Sequence, residues 1–232
     1  MRGIDTRTHI KQIALQLFAA QGIDNVSVRD ILVAAGQKNG GSLHYHFGSK
    51  EALVQELVAD GAQRIDAWRL QRLDALEALA TPPTLRDIVK LLAEPMGPRG
   101  DAPADADDDA GYIPFMNSLL VRHHAVFLEG VDGHDVGFRR CIAHLRALLP
   151  DMPTELFNQR LRLMMLYLFT AVSAREQTGE GSTWYRLWAH PASEENFIDS
   201  IEGLLREPAS AATRAALGTP AAKAPARPRK PR

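Results

Sequence analysis

Ser27-Val28-Arg29-Asp30-Ile31-Leu32-Val33-Ala34-Ala35-Gly36 and, after a short polar and glycine stretch, Leu43-His44-Tyr45-His46-Phe47-Gly48-Ser49-Lys50 decide the reading of this chain. The first carries a complete helix start: Ser27 at the cap, Asp30 three residues on, and Val26 placed to staple against Ile31. Gly36 stops it. Gly48 tolerates the left-handed backbone that ends the second helix, and Ser49 caps the helix that follows. Two short helices within about twenty residues leave room only for an angled pair, a helix-turn-helix.

The preceding segment completes the unit. Asp5 or Thr6 caps a helix whose Ile10, Ile13, Ala14, Leu17 and Phe18 share one face, ending near Gly22. Three helices around one small core are predicted.

Residues 7 to 57 resemble the tetracycline-repressor (TetR) family of transcriptional regulators, through Ile13-Ala14, Leu17-Phe18, Gly22, Ser27 to Ile31, Ala35-Gly36 and Leu43 to Leu53. Two positions depart from the family pattern. Gly40-Gly41 adds a residue to the turn, and His44 stands where the family has a phosphate-binding tyrosine. The resemblance implies a DNA-binding head, a homodimer and a body that responds to a small molecule.

Composition bounds the rest. The 232 residues are 45% hydrophobic, enough for a sizeable core divided between a small and a larger domain. The single cysteine, Cys141, excludes an intramolecular disulfide and fits a reduced, cytoplasmic protein. The longest uncharged apolar stretch, 163 to 172, is half the roughly 20 residues that cross a bilayer, so no membrane association is expected. Net charge is -1, but six basic and no acidic residues follow Pro208, leaving 21 basic against 28 acidic before it. With an acidic body, DNA affinity must rest on placed contacts.

The fold class expected is all-α with about nine helices: a helix-turn-helix head over 1–52, a helical ligand-binding and dimerisation body over 53–207, and a disordered Ala/Pro/basic tail over 208–232. A long helix from Ser49 to about Leu79, with a possible kink at Gly61, joins head to body. Residues 95–111, rich in aspartate, proline and glycine, read as a solvated acidic loop that lacks the glycine and terminal glutamate of a calcium loop. One helix is expected from Pro114 past Leu128, another from Asp135 to Leu149. The one from Thr154 to Gln177 is apolar nearly all round over its middle, and the last is capped by Ser193.

Candidate DNA contacts are Ser27, Arg29, Gln37, Lys38, Asn39, Ser42, His44, Tyr45 and Lys50. Arg29 matches a family position near the groove edge, and its donor fork suits guanine or a phosphate. Gln37 and Asn39 could bond adenine bidentately. His44 is expected to donate to a phosphate with Tyr45 beside it, and the family pattern makes Lys50 a phosphate contact. Candidate ligand-lining residues are Phe115, Asn117, Leu120, His124, Phe127, Arg162, Met165, Tyr167 and Phe169, although helical periodicity does not separate a pocket from interior packing. Leu163, Leu166, Phe197, Ile198, Ile201 and Leu205 are assigned to a four-helix dimer interface, as the resemblance implies. The partners expected are an operator in double-stranded DNA, a second copy of the chain, and a small hydrophobic or aromatic effector. A body that senses a protein partner, or is constitutive, is the alternative.

Catalysis is the rival from another class. His123, His124, His134, Cys141 and His144 are dense enough to suggest a helical metal site. Adjacent His123 and His124 point apart, however, and no Glu-x-x-His falls in the core helices. No phosphate loop, nucleophile elbow or CxxC is present. No enzyme activity and no cofactor are expected.

Overall fold

In a computed structural model, the described residues are 5–94, 111–177 and 183–218, and they form twelve α-helices and one 3-10 turn without strands. These are α1 (Thr6–Gln21), the turn Ile23–Asn25, α2 (Val28–Ala34), α3 (Ser42–Phe47), α4 (Lys50–Glu77), α5 (Leu85–Ala93), α6 (Tyr112–Arg122), α7 (His124–Val131), α8 (Val136–Leu148), α9 (Thr154–Gln177), α10 (Thr183–Ala189), α11 (Ser193–Arg206) and α12 (Ala211–Leu217). Most of the predicted acidic loop, residues 95–110, lies outside the described residues, as do residues 219–232 of the tail.

Local signals set the head. The Ser27 side chain accepts from the Asp30 N–H at 3.2 Å while Asp30 accepts from the Ser27 N–H at 2.8 Å, the reciprocal capping box. Hydrogen bonds from the Ser27 side chain and backbone hold the Asp30 carboxyl below its usual range. Gly22, at φ +79°, ends α1 with its N–H on the Phe18 carbonyl. Ile10, Ala14, Phe18, Ile31, Leu43 and Leu53 are buried between the first four helices.

Helix α4 runs unbroken for 28 residues, about 42 Å, through Gly61. The glycine is a point of close approach: Tyr112 packs its ring there and donates to the Val58 carbonyl at 3.1 Å. The same helix carries the body. Its Asp66 accepts from the backbone N–H groups of Gly137 and Phe138 at 3.1 Å each, at the start of α8. Asp74 and Glu77 receive Arg140 of α8 at 2.7 and 2.5 Å. At its other end Glu56 takes Lys11 of α1 at 2.8 Å.

Three helices exceed the nine read from the sequence. The helix expected from Pro114 begins at Tyr112 and breaks at His123, which has φ -129° and ψ 48°. The break turns α7 so that Gly130 meets Val58 of α4. Pro114 lies in the first turn of α6, where its missing N–H leaves no intrahelical bond unmade. Helix α10 follows α9, with which it packs. Helix α12 forms inside the segment expected to be disordered, because Ser210 caps an alanine-rich run by accepting from the Thr213 N–H at 3.1 Å. Ser193 is the first residue of α11, and Ala192 stands at the cap; the Ser193 hydroxyl donates instead to the Leu187 carbonyl.

One continuous apolar cluster runs from head to body. Its link is a stacked pair, Phe18 of α1 and Phe115 of α6, with centroids 5.9 Å apart. Helix α6 packs on α1 at one side and α9 at the other, so it forms a second connection between head and body beside α4.

Candidate nucleic-acid interface

The nine proposed contacts of the head separate into exposed groups and groups already engaged. Arg29 on α2 and Lys38 in the turn are exposed cations, and Tyr45 of α3 is 85% exposed. These three project from the helix-turn-helix into solvent. Ser42 is half-buried in the first turn of α3. Ser27 is occupied by its capping role.

Four of the nine differ from expectation. Lys50 donates to the Ile23 carbonyl at 2.6 Å and lies over the Phe18 ring, so its amine ties the start of α4 to the 3-10 turn rather than standing free for a phosphate. Asn39 accepts from the Gly41 N–H at 2.9 Å, which engages the oxygen that a bidentate adenine contact needs. Gln37 is half-buried and its amide donates to the Ala35 carbonyl at 3.3 Å. The Nδ1 of His44 is 2.5 Å from the Gly48 carbonyl, so Nδ1 carries the proton and the neutral ring offers Nε2 only as an acceptor. Donation from His44 to a phosphate then requires the imidazolium.

Gly40 and Gly41 make the predicted turn, with negative φ at both positions. Their contribution is a bare backbone surface between Asn39 and α3, since no surrounding atom lies close to Gly40. A residue outside the sequence-based set also belongs to this face. Val33 is 70% exposed, one turn after Arg29 on α2. Only its apolar character was legible in the sequence.

The body candidates divide as well. Phe115 is fully buried between Phe18 and Tyr112 and is core, leaving no surface for a ligand. Phe127 meets Phe169 edge-on at 6.1 Å and stacks on His124 at 6.2 Å, so these three come together on α7 and α9. Leu120 and Met165 are half-buried against the core. Arg162 and Tyr167 are exposed on α9, where the all-round apolar stretch presents one side to solvent, although the Tyr167 ring still packs on Phe197 at 5.3 Å. Asn117 accepts from the Thr170 hydroxyl at 3.2 Å. It also lines a cleft of about 370 Å³ between the end of α1, the 3-10 turn, α6 and Ser173 of α9, which none of the other eight reaches.

The dimer set splits by helix. Leu163 and Leu166 of α9 are 55% and 41% exposed. Phe197, Ile198, Ile201 and Leu205 are buried within this chain, against α5 and α9, and are corrected to core. The outward side of α11 carries Asn196, Ser200 and Gly203 instead. Cys141 is buried, and loss of solvent pushes its thiol up to about 11, which leaves it neutral. His144 bonds Glu77 at 2.7 Å and His123 bonds Asp24 at 3.0 Å, two separate pairs. Among the described residues, no three metal-ligating side chains converge and no helix is long and apolar enough to cross a membrane.

Residues 11–57 match the family described as bacterial regulatory proteins, tetR family. Over 52 residues the chain is 48% identical to the HTH-type transcriptional repressor KstR2 of Rhodococcus jostii, covering 22% of this chain and 25% of that protein. Over 53 residues it is 40% identical to the HTH-type transcriptional regulator AcrR of Shigella flexneri, covering 23% and 24%. The matched part therefore spans about a quarter of the length of these relatives. The crystal structure of AmtR from Mycobacterium smegmatis has the same fold, with a TM-score of 0.57 and 16% identity over 95% of this chain and 98% of that one.

Proposed function

We propose that this chain, whose residues 11–57 match the tetR family of bacterial regulatory proteins, is a DNA-binding transcriptional regulator, a homodimeric repressor released from a pseudo-palindromic operator by a small hydrophobic molecule. The observation that carries this reading is the capped α2–turn–α3 unit with Arg29, Lys38 and Tyr45 exposed on it. Arginine and lysine at such positions anchor phosphates or read guanine, and an exposed aromatic beside them supplies contact area.

Dimerisation uses the outward side of α9, with Leu163 and Leu166, beside the small residues Asn196, Ser200 and Gly203 of α11, which allow close helix approach. Two heads must sit about 34–36 Å apart to meet successive turns of one groove. The connections that set this distance are α4 and α6. An apolar effector seated near Phe127, Phe169 and Met165 would shift α7 and α9, and through them both connections. A coupling of about 1–3 kcal/mol, which is 5- to 150-fold in affinity, suffices for release and is reciprocal.

The test is selection of genomic DNA fragments by the purified protein at near-physiological salt, followed by challenge with a panel of hydrophobic metabolites. A palindromic site released by one compound supports the whole reading. Selective binding that no compound relieves supports a regulator that is governed by a protein partner or constitutive. Absence of any selected site overturns the DNA-binding role.

A further inference from the structure

The cleft between head and body has three walls: the end of α1 with the 3-10 turn, one face of α6 from Pro114 to Arg122, and Ser173 of α9. Its volume, about 370 Å³, is at the lower end of the range for small-molecule pockets. One polar pair in it is already made, since His123 at the α6–α7 break bonds Asp24 of the turn across 3.0 Å.

What remains is an excess of donors. Arg122 is exposed, and among the described residues it has no ion-pair or hydrogen-bond partner. Asn117 has its oxygen taken by the Thr170 hydroxyl, so its amide N–H groups are the end left to donate. Ser173 adds a buried hydroxyl on the opposite wall, and Val121 supplies an apolar surface next to Arg122.

We propose that this cleft binds a small organic carboxylate, the carboxylate on the Arg122 guanidinium and the Asn117 amide and the apolar body against Val121. A guanidinium fork matches a carboxylate with two parallel hydrogen bonds, which a single hydroxyl or amide ligand does not exploit. A cationic ligand would meet Arg122 and find Asp24 already paired. The walls come from both sides of the head–body seam, so an occupant bridges them and its affinity is linked to the position of the head. This site is separate from the apolar cluster of α7 and α9, and its existence does not depend on that cluster binding an effector.

The experiment is titration calorimetry of the full chain with benzoate at low ionic strength. Saturable binding with one site per chain is expected, about tenfold weaker in Arg122→Ala and lost in Asn117→Asp, which keeps the shape and places a negative charge opposite the ligand. Arg139→Ala, which removes an exposed cation on α8, leaves it unchanged. Thermal melts of each variant establish that the fold is kept, which the exposure of Arg122 and the equal size of Asn117→Asp favour. No saturable binding, binding insensitive to both cleft variants, or equal weakening by Arg139→Ala overturns the proposal.

Discussion

Tyr112 lies across Gly61: a methyl group added to the glycine would stand 2.1 Å from the aromatic ring, and the phenol donates to the Val58 carbonyl one turn earlier. Alanine in place of glycine inside a helix ordinarily stabilises by about 0.4–1 kcal/mol. Here the added carbon must displace a buried ring that joins α6 to α4. Gly61→Ala is therefore expected to destabilise by about 1–3 kcal/mol, read as a lower urea midpoint. A neutral or stabilised variant would show that α6 and α4 separate more easily than this contact implies.

The head assignment is tested by charge. Arg29→Ala and Lys38→Ala should each lower operator affinity while leaving the melting temperature unchanged, because both side chains are exposed. If each neutralises one phosphate, the slope of log affinity against log salt falls by about one per substitution. Lys50→Ala should behave differently. Its amine holds the Ile23 carbonyl, so the melting temperature falls together with affinity. Unchanged affinity in both Arg29→Ala and Lys38→Ala sinks the interface.

The proposed dimer interface is tested separately from folding by helix face. Leu163→Asp and Leu166→Asp place charge on the exposed side of α9 and should yield a folded monomer in sedimentation experiments. Phe197→Ala removes a buried side chain that contacts Tyr167 and Trp188 and should instead cost about 3–5 kcal/mol of stability. Dissociation by Phe197→Ala with full stability would return α11's apolar stripe to the interface.

Acid should loosen the seat of α1 on α4. Burial raises the Glu56 carboxyl, but hydrogen bonds from Arg7 and Lys11 outweigh it and hold Glu56 below its ordinary value. A group depressed in the folded state contributes stability above its unfolded value, and that contribution is lost as pH falls through the folded one. The urea midpoint should therefore decline below about pH 4.5, and less steeply in Glu56→Gln than in the wild type. Parallel declines in the two proteins would assign the acid response elsewhere.

The capping box predicts a smaller, local effect. Asp30→Ala removes the acceptor for the Ser27 N–H and should loosen the first turn, visible as faster amide exchange at the start of α2. Equal exchange rates would mean that packing alone holds this helix.

How much of this was legible in the sequence depends on the range of the interaction. The head, the capping boxes, the glycine stops at Gly22 and Gly48 and the all-helical class rest on contacts within about four residues, and a linear pattern records those directly. The same patterns identify Phe197, Ile198, Ile201 and Leu205 as a stripe but do not say what the stripe meets. A buried core and a dimer interface make the same demand on a helix face, so only the packing of α11 on α5 and α9 assigned it to the core. Lys50 reached a carbonyl 27 residues away, and His123 broke a helix where no proline or glycine marked it, because α7 had to turn onto α4. The cleft between Asp24, Asn117 and Arg122 exists only once α6 is laid against α1. Local backbone preference thus determined the elements of this protein, and long-range burial decided which of their faces remained exposed.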